Sequence, residues 1–302
     1  MFEFEPTEFY LLVTAGATIC MQLMFFFIAY SFKFDKVTDF AGTMNFLLLA
    51  CLVFFMKGTF FTRQVVLTVM VICWSVRLGA FLLNRVLRRQ KDARFDEMRE
   101  RFFKFLAFWI FQMVWVWVVS LPVTLVNSSS YDSPIGALDY IGWGLWVLGF
   151  IIESGSDHDK YNAVVKREQD KTKNGPAGFQ EQTGFWYYSR HPNYFGEILL
   201  WLGISLSCIS DFIGHPTNVL PAYFGLTSPI LTFLLLAFLS GMPLAESRAD
   251  KRYKDSAEYK AYKLRTSPLI PFPPVLYSRL PLLVRRIFFL ELPLYSKQFN
   301  AN

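Results

Sequence analysis

The chain has 302 residues, 53% of them hydrophobic and 18% aromatic, with a mean hydropathy of +0.31 and a formal net charge of +6. A soluble domain of this length does not carry so much apolar surface, and several runs are long enough to cross a bilayer. The positive balance does not mark a nucleic-acid binder, because the bases lie beside apolar runs and are mixed with acids, as in cytoplasmic loops.

In chain order, the apolar runs predict spans at 8–30, 40–56, 64–83, 102–126, 135–153, 194–210 and 220–239. The expectation is an all-α, polytopic membrane helical bundle of about seven transmembrane helices with a cytoplasmic amphipathic tail helix. Glu3, Glu5 and Glu8 replace the basic region of a signal peptide, and the first run is long, so it reads as an uncleaved span. Residues 244–264 are charged and Tyr-rich and predict the tail helix; beyond Pro271, Pro273 and Pro274, residues 275–295 suit a segment lying in the membrane interface. No repeat or long linker divides the chain, so 1–302 reads as a single membrane domain with an interfacial tail at 273–302. Cys20, Cys51, Cys73 and Cys208 fall in apolar runs without Cys-x-x-Cys spacing, which predicts buried free thiols and no metal site.

Bases crowd two connections, Arg85, Arg88, Arg89, Lys91, Arg94, Arg99, Arg101 and Lys104 in one and Lys160, Lys166, Arg167, Lys171, Lys173 and Arg190 in the other. Both are expected to face the cytoplasm, with the N-terminus outside and the tail inside. Residues 127–134 carry no Lys or Arg and contain Asn127-Ser128-Ser129, a glycosylation-type sequon suited to the outer side of a eukaryotic membrane. Lys57 and Arg63 then sit on the outer side, against the charge rule.

The densest group of chemistry-bearing residues is Tyr188-Ser189-Arg190-His191-Pro192-Asn193-Tyr194-Phe195-Gly196-Glu197, at the mouth of the sixth run. Ser189 can cap a helix, Pro192 fits a first turn, and the turn's amides with Arg190 and His191 suit an anion such as phosphate. Asn193 and Glu197, four apart, share a helix face. Glu153, Asp157 and Lys160 fall at i, i+4 and i+7 where the fifth run meets the cytoplasm. They read either as snorkelling charges or as ligand groups, the carboxylates for ribose or nicotinamide donors and Lys160 for phosphate oxygens. Arg77, inside the third run, reads equally as a structural ion pair or a ligand contact. Asp92, Arg94 and Arg99 read either as salt-bridge partners or as part of a cofactor mouth, and their bases add an attractive field for an anion. Gly142, Gly144 and Gly149 lack dinucleotide-fingerprint spacing and read as packing glycines. His158, His191 and His215 share no metal-ligand spacing, and His215 reads as a loop residue.

Taken together, these blocks resemble the steroid 5α-reductase superfamily, in particular its branch of poorly characterised membrane proteins with a reductase-like domain. The resemblance covers residues 74–272. It rests on Trp74-Ser75-Val76-Arg77-Leu78 with Arg85; Asp92-Ala93-Arg94-Phe95 with Met98-Arg99; Gln112 with Leu121-Pro122; Glu153, Asp157 and Lys160; the 189–197 motif; and Gly241-Met242-Pro243 with Glu246, Tyr259 and Tyr262. It implies NADPH-dependent reduction of a carbon-carbon double bond in a lipid or steroid-like enone, in an integral membrane such as the endoplasmic reticulum of a eukaryote. Asp157, Asn193 and Glu197 match cofactor-contact positions. Arg190, His191, Tyr194 and the Glu246 region follow by proximity, and Glu153, Lys160 and Tyr259 complete the implied cofactor set. Asp159 departs from the Gln usual in this branch, and the Glu and Tyr pair that polarises the ketone in true steroid reductases has no counterpart in the N-terminal half. By chemistry, Tyr194 or Tyr187 can be the proton donor that hydride delivery to an enone requires, and both also read as interfacial aromatics.

Two other readings remain open. Membrane S-adenosylmethionine-dependent methyltransferases of the isoprenylcysteine or phospholipid type share an Arg-His-Pro-x-Tyr motif, a later Glu and a Tyr-x-x-Tyr tail. A non-catalytic protein that binds lipid or cofactor also fits the missing acids. No nucleic-acid partner is expected, and the sequence carries no signal for oligomeric state.

Overall fold

The structure, a computed structural model, describes residues 6–33, 37–89, 100–174, 183–214 and 220–295. The described elements are helical and include no strand; Ser189 and Ser267 form an isolated parallel bridge. Hydrocarbon offers the backbone no water partner, so spanning segments must close their amide bonds internally, as these helices do. Among the described residues, seven segments are long and apolar enough to cross: Thr7–Ser31, Thr38–Lys57, Thr62–Arg85, Phe102–Ser128, Ala137–Lys166, Pro192–Ile213 and Tyr223–Tyr253. This is an all-α, integral multi-pass membrane protein.

The chain folds as two compact units, Met1–Trp146 with Trp201–Leu231, and Val147–Leu200 with Thr232–Asn302. The boundaries fall inside helices. In the first unit, α1 (Pro6–Ser31) packs on α2 (Thr38–Lys57) and α4 (Phe102–Ser128), and α2 packs on α3 (Thr62–Arg89). The buried side of α1 is polar over its first half, where Thr14, Thr18 and Gln22, four residues apart, are all 1% exposed or less, and apolar after it, at Phe26 and Ala29; Phe9, Leu12, Ile19, Met24 and Phe27 are exposed. Lipid is as apolar as leucine, so polar groups hold such helices together by bonding across their contacts. Gln22 donates to Asn45 at 2.9 Å, Gln112 to Gln22 at 3.0 Å, and Trp117 to Thr14 at 3.2 Å. Trp74 packs edge-on against Phe46 and Trp201.

Helix α5 (Ala137–Asn174) has 38 residues, about 57 Å at 1.5 Å per residue, far longer than the hydrocarbon thickness of about 30 Å. Glu153, Asp157 and Lys160 therefore sit in the body of a continuous helix, not at the end expected near 153. In the first unit a Cβ on Gly142 would run into the Gly203 carbonyl of α6 (Pro192–Ile213); in the second, one on Gly149 would lie 2.6 Å from the Gly196 carbonyl. Both are close-approach glycines as expected. Gly144 is not, because open space surrounds its Cβ position.

The last span is interrupted. After α7 (Leu220–Gly225) and α8 (Thr227–Leu234), residues Leu235–Leu239 widen into a π-helical turn, with Ser240 N donating to Leu235 O at 2.9 Å. Pro243 then lies in the first turn of α9 (Met242–Tyr253), where its missing amide costs nothing. The tail expected as one helix over 244–264 is two, α9 and α10 (Ala257–Arg265). Ser256 ends the break as a capping residue, its hydroxyl accepting from Tyr259 N at 3.2 Å. Beyond it come α11 (Pro274–Tyr277) and α12 (Leu282–Phe289), neither long enough to cross.

Two further expectations are corrected. Asn127 is 1% exposed, and its amide donates to Thr68 Oγ1 at 3.0 Å and Ala50 O at 3.3 Å, so the sequon is packed inside the first unit. The four cysteines are free, but only Cys208 is buried; Cys20 and Cys73 are exposed and Cys51 half-buried. Glu3, Glu5, Lys91, Asp92, Ala93, Arg94, Phe95, Met98, Arg99 and His215 lie outside the described residues, as do the side chains of Arg88, Arg89, Arg167, Lys171 and Lys173.

Candidate functional site

Pro192 opens α6, as its fixed φ and absent amide predict. The four residues before it, Tyr188 to His191, are held by hydrogen bonds. Arg190 N donates to Ser267 O at 2.8 Å, Phe272 N to Tyr188 O at 3.0 Å, and the Ser189 hydroxyl to Leu269 O at 2.7 Å while accepting from His191 N at 3.1 Å. Ser189 thus fixes the approach to the helix instead of capping it directly. Tyr262 closes the same corner by donating to Trp186 O at 2.7 Å. Arg190 and His191 consequently have little freedom of backbone.

Their side chains enter a buried ion cluster centred on Glu246. His191 Nε2 lies 2.9 Å from Glu246 Oε1, Lys263 Nζ 2.8 Å from Oε2, and Arg190 Nε 3.5 Å from Oε1. Glu246 and Asp250 are four apart on α9 and so share a face. Lys263 reaches Asp250 at 2.6 Å and Tyr295 O at 2.7 Å, and Tyr259 donates to Asp250 at 2.6 Å. Arg190 Nη2 bonds Glu291 at 2.8 Å, and Tyr277 donates to the same carboxylate at 2.5 Å.

Two cations, Arg190 and Lys263, thus face three carboxylates, Glu246, Asp250 and Glu291, with the Lys160 ammonium close enough to act on His191 as well. Burial alone would lower the Arg190 pKa, but Glu246 and Glu291 overcome it and raise it. Burial lowers that of His191, and the hydrogen bond to Glu246 only partly offsets this, so the ring is neutral at pH 7. A carboxylate between two cations is an acceptor, so the imidazole proton is assigned to Nε2 and Nδ1 presents a lone pair. Burial, then neighbouring carboxylates, raise the phenols of Tyr259 and Tyr277; burial brings that of Tyr295 to about 12. These phenols act as hydrogen-bond donors and stay protonated.

The cluster is incomplete. Arg190 Nη1, His191 Nδ1 and Asn193 Oδ1 are buried with no hydrogen-bond partner. Asn193 donates its amide to Asp157 Oδ1 at 3.3 Å, and Tyr194 stacks on the His191 ring at 5.2 Å with 4° between planes. Glu153 is buried with its backbone against Gly196, and Glu197 is half-buried one turn after Asn193. Lys160 lies over the Trp186 ring, 4.4 Å from its centroid, and the indole donates to Ser156 O at 2.8 Å. Tyr187 is 38% exposed, an edge contact for Tyr188. Of the expected set, Arg190, His191, Tyr194, Glu246 and Tyr259 thus join one cluster, and Asn193 and Asp157 pair.

Asp250, Lys263, Tyr277, Glu291 and Tyr295 were not anticipated. A signal existed for two of them: Glu246 with Asp250 and Tyr259 with Lys263 are both i, i+4 pairs on amphipathic helices. Nothing local marks Glu291, which meets Arg190 across 101 residues.

A second buried ion cluster lies in the first unit. Arg63 Nε and Nη2 each reach Asp139 at 2.8 Å, and Nη1 reaches Asp211 at 2.7 Å and the Ser133 hydroxyl. Nη2 also donates to Pro134 O at 3.0 Å, while Ser207 and Ser210 donate to Asp139 at 2.5 and 2.7 Å. The Arg63 that offended the charge rule is therefore neutralised internally. Nearby in sequence, Arg85 pairs with Asp39 at 2.6 Å.

Fold and site together define a multi-pass membrane protein with a buried, partly unsatisfied ion cluster where its sixth span begins. The chain belongs to the family described as "Protein of unknown function (DUF1295)", which it matches over residues 25–266. It is also similar to an uncharacterized protein of Schizosaccharomyces pombe, 25% identical over 166 residues. That alignment takes in 48% of each chain, so the chain spans about half the length of this relative. No solved structure matches the chain.

Proposed function

We propose that this protein is a membrane oxidoreductase of the steroid 5α-reductase superfamily, reducing a carbon-carbon double bond of a lipid or steroid-like enone with NADPH. Its cofactor site would face the cytoplasm, in a eukaryote from the endoplasmic reticulum membrane. The family match spans the residue blocks that carry the resemblance. The observation that carries the reading is the set of buried, unpartnered atoms at three nearly consecutive positions, Arg190 Nη1, His191 Nδ1 and Asn193 Oδ1. Buried polar atoms are nearly always satisfied in folded proteins, so a group of them at one helix mouth suits a polar ligand.

A donor, a lone pair and an amide oxygen fit the hydroxyl and carboxamide groups of a dinucleotide. Glu246, Asp250 and Glu291 do not suit its phosphates, which leaves Lys160 for that end. NADPH, when bound, supplies the hydride. The chain's own part is to fix the ligand through Asn193 and Asp157, hold Arg190 and His191 rigid, and offer Tyr194 as proton donor. The three carboxylates of the cluster also suit a second reading, S-adenosylmethionine, whose sulfonium is cationic. Purified protein in mild detergent, challenged in parallel with NADPH, NADH and S-adenosylmethionine, distinguishes them by thermal shift. NADPH is expected to raise the midpoint, and Asn193→Ala with Glu197→Gln to abolish that rise while the ligand-free midpoint is kept. A rise only with S-adenosylmethionine moves the protein to the second reading.

A further inference from the structure

The strap that follows α10 has a pinned inner side and an open outer one. Inside, Phe289 packs edge-on against Tyr277 and Phe272, Glu291 holds Arg190, and Tyr295 donates to Ala237 O at 2.7 Å. Arg285 stiffens the turn between α11 and α12, donating to Leu280 O at 2.9 Å and Ser278 O at 2.7 Å while its guanidinium lies 5.1 Å from the Tyr277 ring centre. Outside, Val275, Leu283, Ile287 and Phe288 are 59%, 68%, 62% and 64% exposed. Arg279 and Arg286 stand exposed among them, and residues 274–290 contain no acid. A soluble surface does not present large apolar side chains so densely.

We propose that α11 and α12 form an in-plane anchor seated on an anionic lipid surface, the exposed aliphatic and Phe side chains in the headgroup boundary and Arg279 and Arg286 on lipid phosphates. Three observations commit the face to lipid. The exposed side is apolar with arginines set among the apolar side chains, and the long arginine stems let the charge reach headgroups while the apolar groups sit deeper. The charge is one-signed and complements anionic headgroups. The strap is bonded to Tyr188 and Arg190, directly before the sixth span begins at Pro192, which sets it at the level of a bilayer surface. The anchor does not depend on the reductase reading.

The test uses the full chain with its four cysteines replaced, reconstituted in nanodiscs of phosphatidylcholine alone or mixed with phosphatidylglycerol. Nitroxide labels at Leu283→Cys and Ile287→Cys are compared with one at the polar, exposed Ser278→Cys. The expected result is that the labels at 283 and 287 are relaxed more by oxygen than by a water-soluble nickel chelate, and more so in the anionic discs. Arg279→Glu with Arg286→Glu, both exposed and so compatible with folding, is expected to remove the difference between discs. Nickel-dominated relaxation at 283 and 287 overturns the anchor. Spectral broadening that disappears on dilution with unlabelled protein assigns the face to a second copy and overturns it too. A disc difference that survives the double charge reversal overturns the role of the arginines.

Discussion

Arg63 and Arg190 are both buried guanidiniums held between two carboxylates, yet they end in different states. Every nitrogen of Arg63 has a well-formed hydrogen bond, to Asp139, Asp211, Ser133 or Pro134 O. Arg190 makes a well-formed bond only through Nη2, to Glu291, and its Nε and Nη1 have none. A complete network locks helices: its cations and anions have nothing left to offer a ligand, and its worth lies in not being broken. An incomplete network is the place to look for chemistry. The burial of a charge therefore says less about function than the state of its last donor.

The largest effect that can break this contrast is at Arg63. Arg63→Ala strands Asp139 and Asp211 in a buried site and is expected to cost about 3–5 kcal/mol, read as a collapse of the thermal midpoint in detergent. Arg63→Lys is expected to fall well short of rescue, because a point charge cannot reproduce the fork. An unchanged midpoint in both variants would remove the structural reading of this cluster.

The next effect sharpens the site side of the comparison and concerns pH. His191 is held neutral below its ordinary pKa of 6.5. Near that pH the unfolded chain takes up a proton that the folded chain resists, so stability is intact above about pH 6.5 and falls as pH drops below it. His191→Gln is expected to flatten this slope between neutral and mildly acidic pH, and an identical slope in the variant would assign the loss to other groups. The smallest effect is at Trp186→Phe, which removes the bond to Ser156 O and should cost about 1 kcal/mol while leaving the Arg190 cluster in place.

The spans were legible because crossing hydrocarbon demands about twenty apolar residues, a signal carried by each segment alone. The start of α6 was legible for a similar reason, since Pro192 acts locally. What was not legible depends on distant partners. Arg63 looked like an exception to loop charge because Asp139 lies 76 residues away and Asp211 148 away. Asn127 looked like a surface sequon until Thr68 and Ala50 closed over it. Arg190 and His191 read as an anion site from their own charge; the carboxylates that face them come from α9 and from Glu291. The tail break at 254–256 was missed because helical periodicity runs on through Lys254 and Asp255 while Ser256 quietly begins a new cap.

Tyr295 gives the end of the described chain an importance that its position would not suggest. Its carbonyl receives Lys263 and its hydroxyl caps Ala237 O, four residues after Glu291 reaches Arg190. A nonsense or frameshift allele that removes only residues from 290 onward spares every span, yet it withdraws a carboxylate and a carbonyl from two buried cations. Such late alleles should behave genetically as nulls, and fusions for purification belong beyond this tyrosine, never in place of it.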